Sequence, residues 1–324
     1  MIKEKTFYKS FMILALSLAL QNLLTYGVNM MDTLMLGRYS QNAMGGVSLC
    51  NQIQFLLQML VVGAGEGAVV MGSQYWGRKK LEPIPHIIGV ALRFGGALAV
   101  LLFILVCGWP TQILQLLSND PAVIAEGAKY FSIIRFTYVI FTITNILVAS
   151  LRSIGVVRIG YMISGSTLVI NVCLNYLLIY GNLGFPEMGV VGAAIGTFIA
   201  RILELGIVVI YIAFFDKKLH LFSTEILSID WKLGKDYMKV AMPIVLSQVL
   251  WGISVPMQTA ILGHLSGNAI AANSVATTFY QYLKVIVIAI AGASAVVIGK
   301  DIGSNDEEKV RCNGRTLSVL YLAI

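Results

Sequence analysis

The sequence predicts an all-α, polytopic membrane protein, and three observations carry that prediction. The composition is 57% apolar and only 12% charged, half the roughly 25% charge of soluble domains, with a mean hydropathy of +0.81. Several apolar runs exceed the roughly 20 residues that cross a hydrocarbon core of about 30 Å as a helix. The charges collect between those runs rather than in one basic domain, so the net charge of +7 does not indicate nucleic acid as a partner.

Spans are expected at 8–35, 46–75, 87–109, 124–150, 155–180, 188–215, 238–262 and 268–299, with a ninth starting near Thr316. The N-terminal MIKEKTFYKS leads into a full-length span, so no cleavable leader is expected. The breaks carry turn or charge signals: WGRKKLEPIP, SNDPA, YGNLGFPEMG, FFDKKLHLFSTEILSIDWKLGKD and GKDIGSNDEEKVR. The longest polar stretch, 216–237, divides the chain. Residues 1–215 form a first lobe of six helices, and 238–324 hold helices seven and eight and the start of a ninth.

Basic residues set the orientation. With the N-terminus cytoplasmic, the inside segments hold Lys3, Lys5 and Lys9; Arg78, Lys79 and Lys80; Arg152 and Arg158; Lys217, Lys218, Lys232, Lys235 and Lys239; and Lys300, Lys309, Arg311 and Arg315. The outside segments hold only Arg38 and Lys129, seventeen against two. A multi-pass protein of the cell (inner or plasma) membrane follows.

The chain repeats itself. Residues 29–48, NMMDTLMLGRYSQNAMGGVS, return as 255–274, VPMQTAILGHLSGNAIAANS, at an offset of 226. With a one-residue slip AGEGAVVMG (64–72) falls on AGASAVVIG (291–299), and Gly77 falls on Gly303. Six spans separate the copies, so both enter the membrane from the same side. That is a parallel repeat about an axis along the membrane normal, one of the transporter plans. The period implies a full length of about 450 residues, of which this chain holds one whole half and about two and a half helices of the next. Such a fragment is not expected to transport alone. The acid of the first copy, Asp32, is Gln258 in the second.

A charge at the bilayer centre costs about 2.5–3.5 kcal/mol on insertion scales and needs a partner or water. Asp32 satisfies this in one of two places: solvated at the interface near Arg38, or facing a cavity as a cation or proton site. Asn22, Thr25, Asn29 and Asp32 are spaced 3, 4 and 3, one polar stripe on a helix. Glu66, in GAGEG, is either a protonated packing residue or a cavity acid. Arg201 and Glu204, at i and i+3, are read as a structural pair. Arg135 and Lys284 have no partner in sequence and are candidate cavity residues with Asn29 and Glu66. Asn171 and Asn175 lie one turn apart, and their amide oxygens either ligate a hard cation or bond between helices. Cys50, Cys107 and Cys173 lie in apolar runs as packing residues, and the four cysteines lack metal spacing. There is no HExxH, DDxxD or Walker motif, so no enzyme is expected and no ATP drive on this chain.

MDTLMLGRYSQNAMGGVSL, GSQYWGRKK, NVCLNYLLIYGNLGFPEMGVVGAAIGT and the half-repeat together resemble the multidrug and toxic compound extrusion (MATE) family, nearest its NorM-like branch, over the whole chain. The resemblance implies twelve-helix antiporters that expel organic cations and other small amphiphiles against Na⁺ or H⁺ by alternating access, monomeric at full length, with no cofactor and no metal beyond Na⁺. It places Asp32 in a first-lobe cation site, matches Asn171 and Asn175 to the family's N-x-x-x-[DN] in helix five, and matches Thr197 to the threonine of GAAxxT in helix six. Two positions depart from the pattern. Ser17 stands where many members have proline, and Trp251 where NorM-like members often have an acid. The alternatives are a lipid or polysaccharide flippase of the same superfamily, marked by a larger basic cavity around Arg135, Arg201 and Lys284, and, more distantly, a membrane-embedded enzyme.

Overall fold

A computed structural model describes residues 5–216, 224–228, 230–265 and 267–323. Within it the side chains of 5–6, 224, 255–256, 258–265, 267–279, 281–282 and 323 are outside the description. Gln258, the polar matches Ser266, Asn268 and Ser274 of the second motif copy, and Lys217 thus lie outside the described residues.

Among the described residues the chain forms eleven α-helices: α1 (Lys5–Tyr39), α2 (Gln41–Gly77), α3 (Pro83–Gly108), α4 (Pro110–Gln115), α5 (Pro121–Ile134), α6 (Thr137–Ser153), α7 (Arg158–Leu178), α8 (Gly189–Phe214), α9 (Trp231–Leu265), α10 (Gly267–Gly303) and α11 (Glu307–Ala323). Seven are long and apolar enough to cross a membrane, and the pair α5–α6, bent by 57°, makes an eighth. At about 1.5 Å per residue, the 35 residues of α1 run well beyond a 30 Å core, so such helices tilt or project into water.

Helix starts follow capping chemistry. Ser40, extended between α1 and α2, accepts from the Ala43 amide at 3.4 Å. Asp120 accepts from Ala122 and Val123 at the start of α5, with Pro121 next. Asp230 accepts from Lys232 and Leu233 at the start of α9. Each satisfies amides that the first turn leaves free.

Two expected spans need correction. The fourth is not one helix over 124–150. After Ile134 the backbone tightens to i+3 bonds, Phe136 to Ile133 and Tyr138 to Arg135, while the Thr137 hydroxyl donates to the Ile134 carbonyl at 2.6 Å. The last helix starts at Glu307, not near Thr316, because Asp306 caps it by accepting from the Lys309 amide at 3.1 Å. Its first turns are therefore polar.

α2 is the hub. Its buried face of Val47, Leu57, Val61, Ala64 and Ala68 packs into the main core with α3, α5, α6, α8 and α9. Against α9 it presents glycines. A Cβ on Gly63 would lie 2.7 Å from the Val245 Cα, and one on Gly67 would lie 2.7 Å from the Ala241 Cβ. Small residues of this kind let helices approach closely within a bilayer. The buried Tyr237 of α9 donates its hydroxyl to the Ala64 carbonyl at 2.7 Å, across that contact.

α2 also meets α10, its repeat partner, reciprocally. Gly77 lies against the backbone of Lys300, and Gly303 against the backbone of Gln74. These pairs exchange at the offset of 226, so the contact has an internal two-fold. α10 is held on its other side by α1, where Phe11, Ala15 and Leu18 bury against Ala289, Ile290 and Ala293. The connection into α9 is tied to α3. Arg93 donates to the carbonyls of Ile226, Leu227 and Ser228 at 2.5–3.2 Å, and His86 shares a 2.6 Å hydrogen bond with the Ser228 hydroxyl.

Candidate cation site

Helices α7 and α8 form an antiparallel hairpin around the turn 179–188. Met188 and Gly189 donate back to Leu178 and Ile179, and Gly181, Leu183 and Gly184 adopt positive φ. Two residues of this turn are glycine because left-handed backbone costs glycine little. The hairpin brings Asn171 and Asn175 of α7 opposite Thr197 of α8. Gly196 makes room for this: a Cβ there would lie 2.7 Å from the Asn175 Oδ1.

Asp32 of α1 enters this space and is 3% exposed. The interfacial, solvated placement beside Arg38 is therefore wrong: the carboxylate faces inward, onto α7 and α8. Its partners form a closed ring. Asn175 Nδ2 donates to Asp32 Oδ1 at 2.5 Å and to Asn171 Oδ1 at 3.2 Å. Asn171 Nδ2 donates to Thr197 Oγ1 at 3.1 Å, and that hydroxyl donates to Asp32 Oδ2 at 3.3 Å. Both asparagines are fully buried. The oxygen of Asn175 is buried with no hydrogen-bond partner, an acceptor whose desolvation costs about 1–3 kcal/mol when left unpaired. One carboxylate, two amide oxygens and a hydroxyl are hard-oxygen donors of the type that coordinate hard cations.

Arg201 lies one turn beyond Thr197 on α8. It pairs with Glu204 at 2.6 Å and stacks over the Phe141 ring at 4.9 Å. Both ions are 7% exposed, so each offsets the other's burial, as the i, i+3 spacing suggested. Sequence reasoning missed Tyr130 of α5, which is 3% exposed and lies beside Thr197 and Asp32. In KYFSII it reads as ordinary core, and no spacing marks it.

The other candidates do not join this ring. Asn29 is half-buried on α1, a turn before Asp32. Glu66 is ion-paired with Arg152 at 2.7 Å in a separate cavity. The basic-residue count places Arg152 with the cytoplasmic loops, whereas it is part of α6 and reaches inward to Glu66. Arg135 sits at the α5–α6 break, its guanidinium 5.2 Å from the Phe136 ring centroid. Lys284 lies over the Trp251 ring, 2.7 Å from its centroid. Neither Arg135 nor Lys284 lines that cavity.

The fold and this inward-facing ring define a polytopic helical membrane protein with a buried carboxylate set among neutral oxygen donors. A family model described as MatE matches residues 17–177 and 243–324, well over half of the sequence. The chain belongs to the MatE family, a family of transporters rather than enzymes, and is NorM-like. It is 28% identical over 301 residues to a "Probable multidrug resistance protein NorM" of Thermotoga maritima, covering 92% of this chain and 64% of the relative. It is 24% identical over 311 residues to a "Probable multidrug resistance protein YoeA" of Bacillus subtilis, covering 94% and 66%. The chain thus spans just under two thirds of the length of these relatives. Two solved structures share the fold. One is described as "Crystal structure of MATE in the bent conformation" (TM-score 0.86, 19% identity, 96% of this chain and 68% of that one). The other is the Vibrio cholerae MATE transporter VcmN in the bent form (TM-score 0.84, 20% identity, 97% and 70%).

Proposed function

We propose that, in a protein with a complete second lobe, this chain works in secondary active export of small amphiphilic or cationic compounds, by Na⁺ or H⁺ antiport with alternating access. The observation that carries the reading is the buried ring around Asp32. It holds one ionisable group, Asp32, so it is either neutral and protonated or singly charged. A singly charged ring matches one monovalent ion. Asn171, Asn175 and Thr197 supply neutral oxygens, and the unpartnered oxygen of Asn175 is the atom a bound Na⁺ would satisfy. The multidrug resistance names of the relatives supply the substrate class.

Residues 1–215 are the first lobe, 216–237 the cytoplasmic connection and 238–324 the opening part of the second lobe. The N-terminus is cytoplasmic, as the charge asymmetry favours. A cysteine at Asn182 is then expected to react with an impermeant maleimide from outside, and one at Lys235 only after permeabilisation. The opposite pattern inverts the topology. A flippase reading gains no support, since Arg201 is spent on Glu204, Arg135 lies over Phe136 and Lys284 over Trp251, so they form no basic cavity.

The deciding experiment reconstitutes the full-length protein in liposomes and follows efflux of a fluorescent organic cation. An imposed Na⁺ or H⁺ gradient is expected to accelerate efflux at least tenfold. Efflux indifferent to both gradients refutes antiport.

A further inference from the structure

Away from Asp32, a second polar space of about 110 Å³ lies between α1, α2, α6 and α10. Three helices turn one face each toward it. α1 contributes Gln21, Asn22 and Thr25, α2 contributes Gln58 and Glu66, and α6 contributes Asn145 and Arg152. α10 closes it with Ile288. Gln21 and Thr25 lie about one turn apart on α1 and Asn145 and Arg152 about two turns apart on α6, so on those two helices the convergence is encoded in the spacing. A liquid water takes about 30 Å³, so the space suits a few waters or a small polar head group.

The chamber holds two opposite charges. Arg152 Nη2 donates to Glu66 Oε1 at 2.7 Å, and both side chains are about one-fifth exposed. Arg152 Nε is buried with no hydrogen-bond partner. Arg152 Nη1 lies 3.7 Å from where a Cβ of Gly292 would stand, so the guanidinium reaches across to α10. The remaining polar lining is neutral amide and hydroxyl, able to donate and accept.

Charge balance selects the ligand. A lone cation that took Glu66 would leave Arg152 uncompensated, and a lone anion on Arg152 would strand Glu66. Breaking such a pair from one side leaves the other ion without its counter-charge in a poorly solvated space. A head group carrying both charges compensates each ion and gives the idle Nε an acceptor. We infer that the Glu66–Arg152 chamber is a binding subsite for zwitterionic compounds, with an ammonium on Glu66 and a carboxylate on Arg152. The inference rests on the reading of the protein as an exporter of small molecules and adds a charge preference at a site separate from Asp32.

Three fluorescent ligands with one tail test it: Nε-dansyl-lysine (a zwitterion), its methyl ester (a cation) and its Nα-acetyl derivative (an anion). Equilibrium titration uses the 324-residue chain in nanodiscs at neutral pH. The zwitterion is expected to bind at least tenfold tighter than the other two. Glu66→Gln should turn the preference toward the anion and Arg152→Gln toward the cation. The exchange Glu66→Arg with Arg152→Glu should restore preference for the zwitterion, which also decides the matter if a single variant folds poorly. The same ligand order in all these proteins, or no saturable binding of any ligand, overturns the chamber assignment. Gradient-driven cation efflux surviving that failure would leave the export reading standing. Loss of gradient coupling with the zwitterion preference intact would sink the export reading alone.

Discussion

Asp32→Asn in the full-length protein is expected to abolish gradient-driven efflux, with at least a hundredfold loss, while the protein still folds and inserts. Asparagine has almost the same shape as aspartate. Asn175 has an unused oxygen, so a turn of its amide lets the ring re-pair around the substituted side chain at a cost of about 1 kcal/mol. What disappears is the only charge in the ring. At contact distance and an effective dielectric of about 20, a monovalent ion loses several kcal/mol of attraction, and each 1.4 kcal/mol is about tenfold in affinity. The exchange of one proton for one ion goes with it. A coupling free energy requires that the two ligands discriminate between states, and an amide in place of the carboxylate cannot change charge. Gln258→Ala, at the repeat-equivalent position, is expected to have a much milder effect. Normal expression with wild-type efflux for Asp32→Asn, across pH and Na⁺ concentration, would refute the role given to Asp32.

The second large effect is expected at the two-fold contact between α2 and α10. A methyl on Gly77 would fall inside the contact distance of the Lys300 carbonyl, and one on Gly303 inside that of the Gln74 carbonyl. Both obstacles are backbone, which cannot swing aside as a side chain can. Overpacking typically costs about 1–3 kcal/mol, so Gly77→Ala and Gly303→Ala should each lower the melting temperature in detergent by several degrees. The double variant should approach the sum or less, because one outward shift of α10 relieves both clashes. Gly96→Ala on α3 is the internal control. Nothing lies within 4 Å of its would-be Cβ, and removing a helical glycine stabilises by up to about 1 kcal/mol. Melting of Gly77→Ala and Gly303→Ala together with the wild type would show that α2 and α10 do not meet this way.

Much of this architecture could be read directly from the residues. Hydropathy reveals the spans because a bilayer leaves helices few alternatives. The offset of 226 made α2 and α10 equivalent before their contact was visible. Asp32, Asn171, Asn175 and Thr197 could be grouped through the resemblance to a family. Their ring of hydrogen bonds could not, since it depends on how three helices rotate. The bend between α5 and α6 escaped because no proline or glycine sits there; kinks are expected at such residues, and here a threonine hydroxyl takes a carbonyl instead. Arg152 escaped for a different reason. Positive-inside counting treats a basic residue near a helix end as solvated, whereas a long side chain can turn back to an acid on a neighbouring helix.

The Arg93 fork sets a mechanical limit. It holds the carbonyls of residues 226–228 to α3, and α9 begins at Trp231. Two residues, three Cα-to-Cα steps, separate the last held carbonyl from the helix, and an extended chain gains at most about 3.6 Å per step. While the fork holds, the foot of α9 stays within about 11 Å of its mooring on α3, however far the opposite end of that helix travels. α9 is therefore leashed at one end: it can pivot about its foot but cannot drift away as a whole.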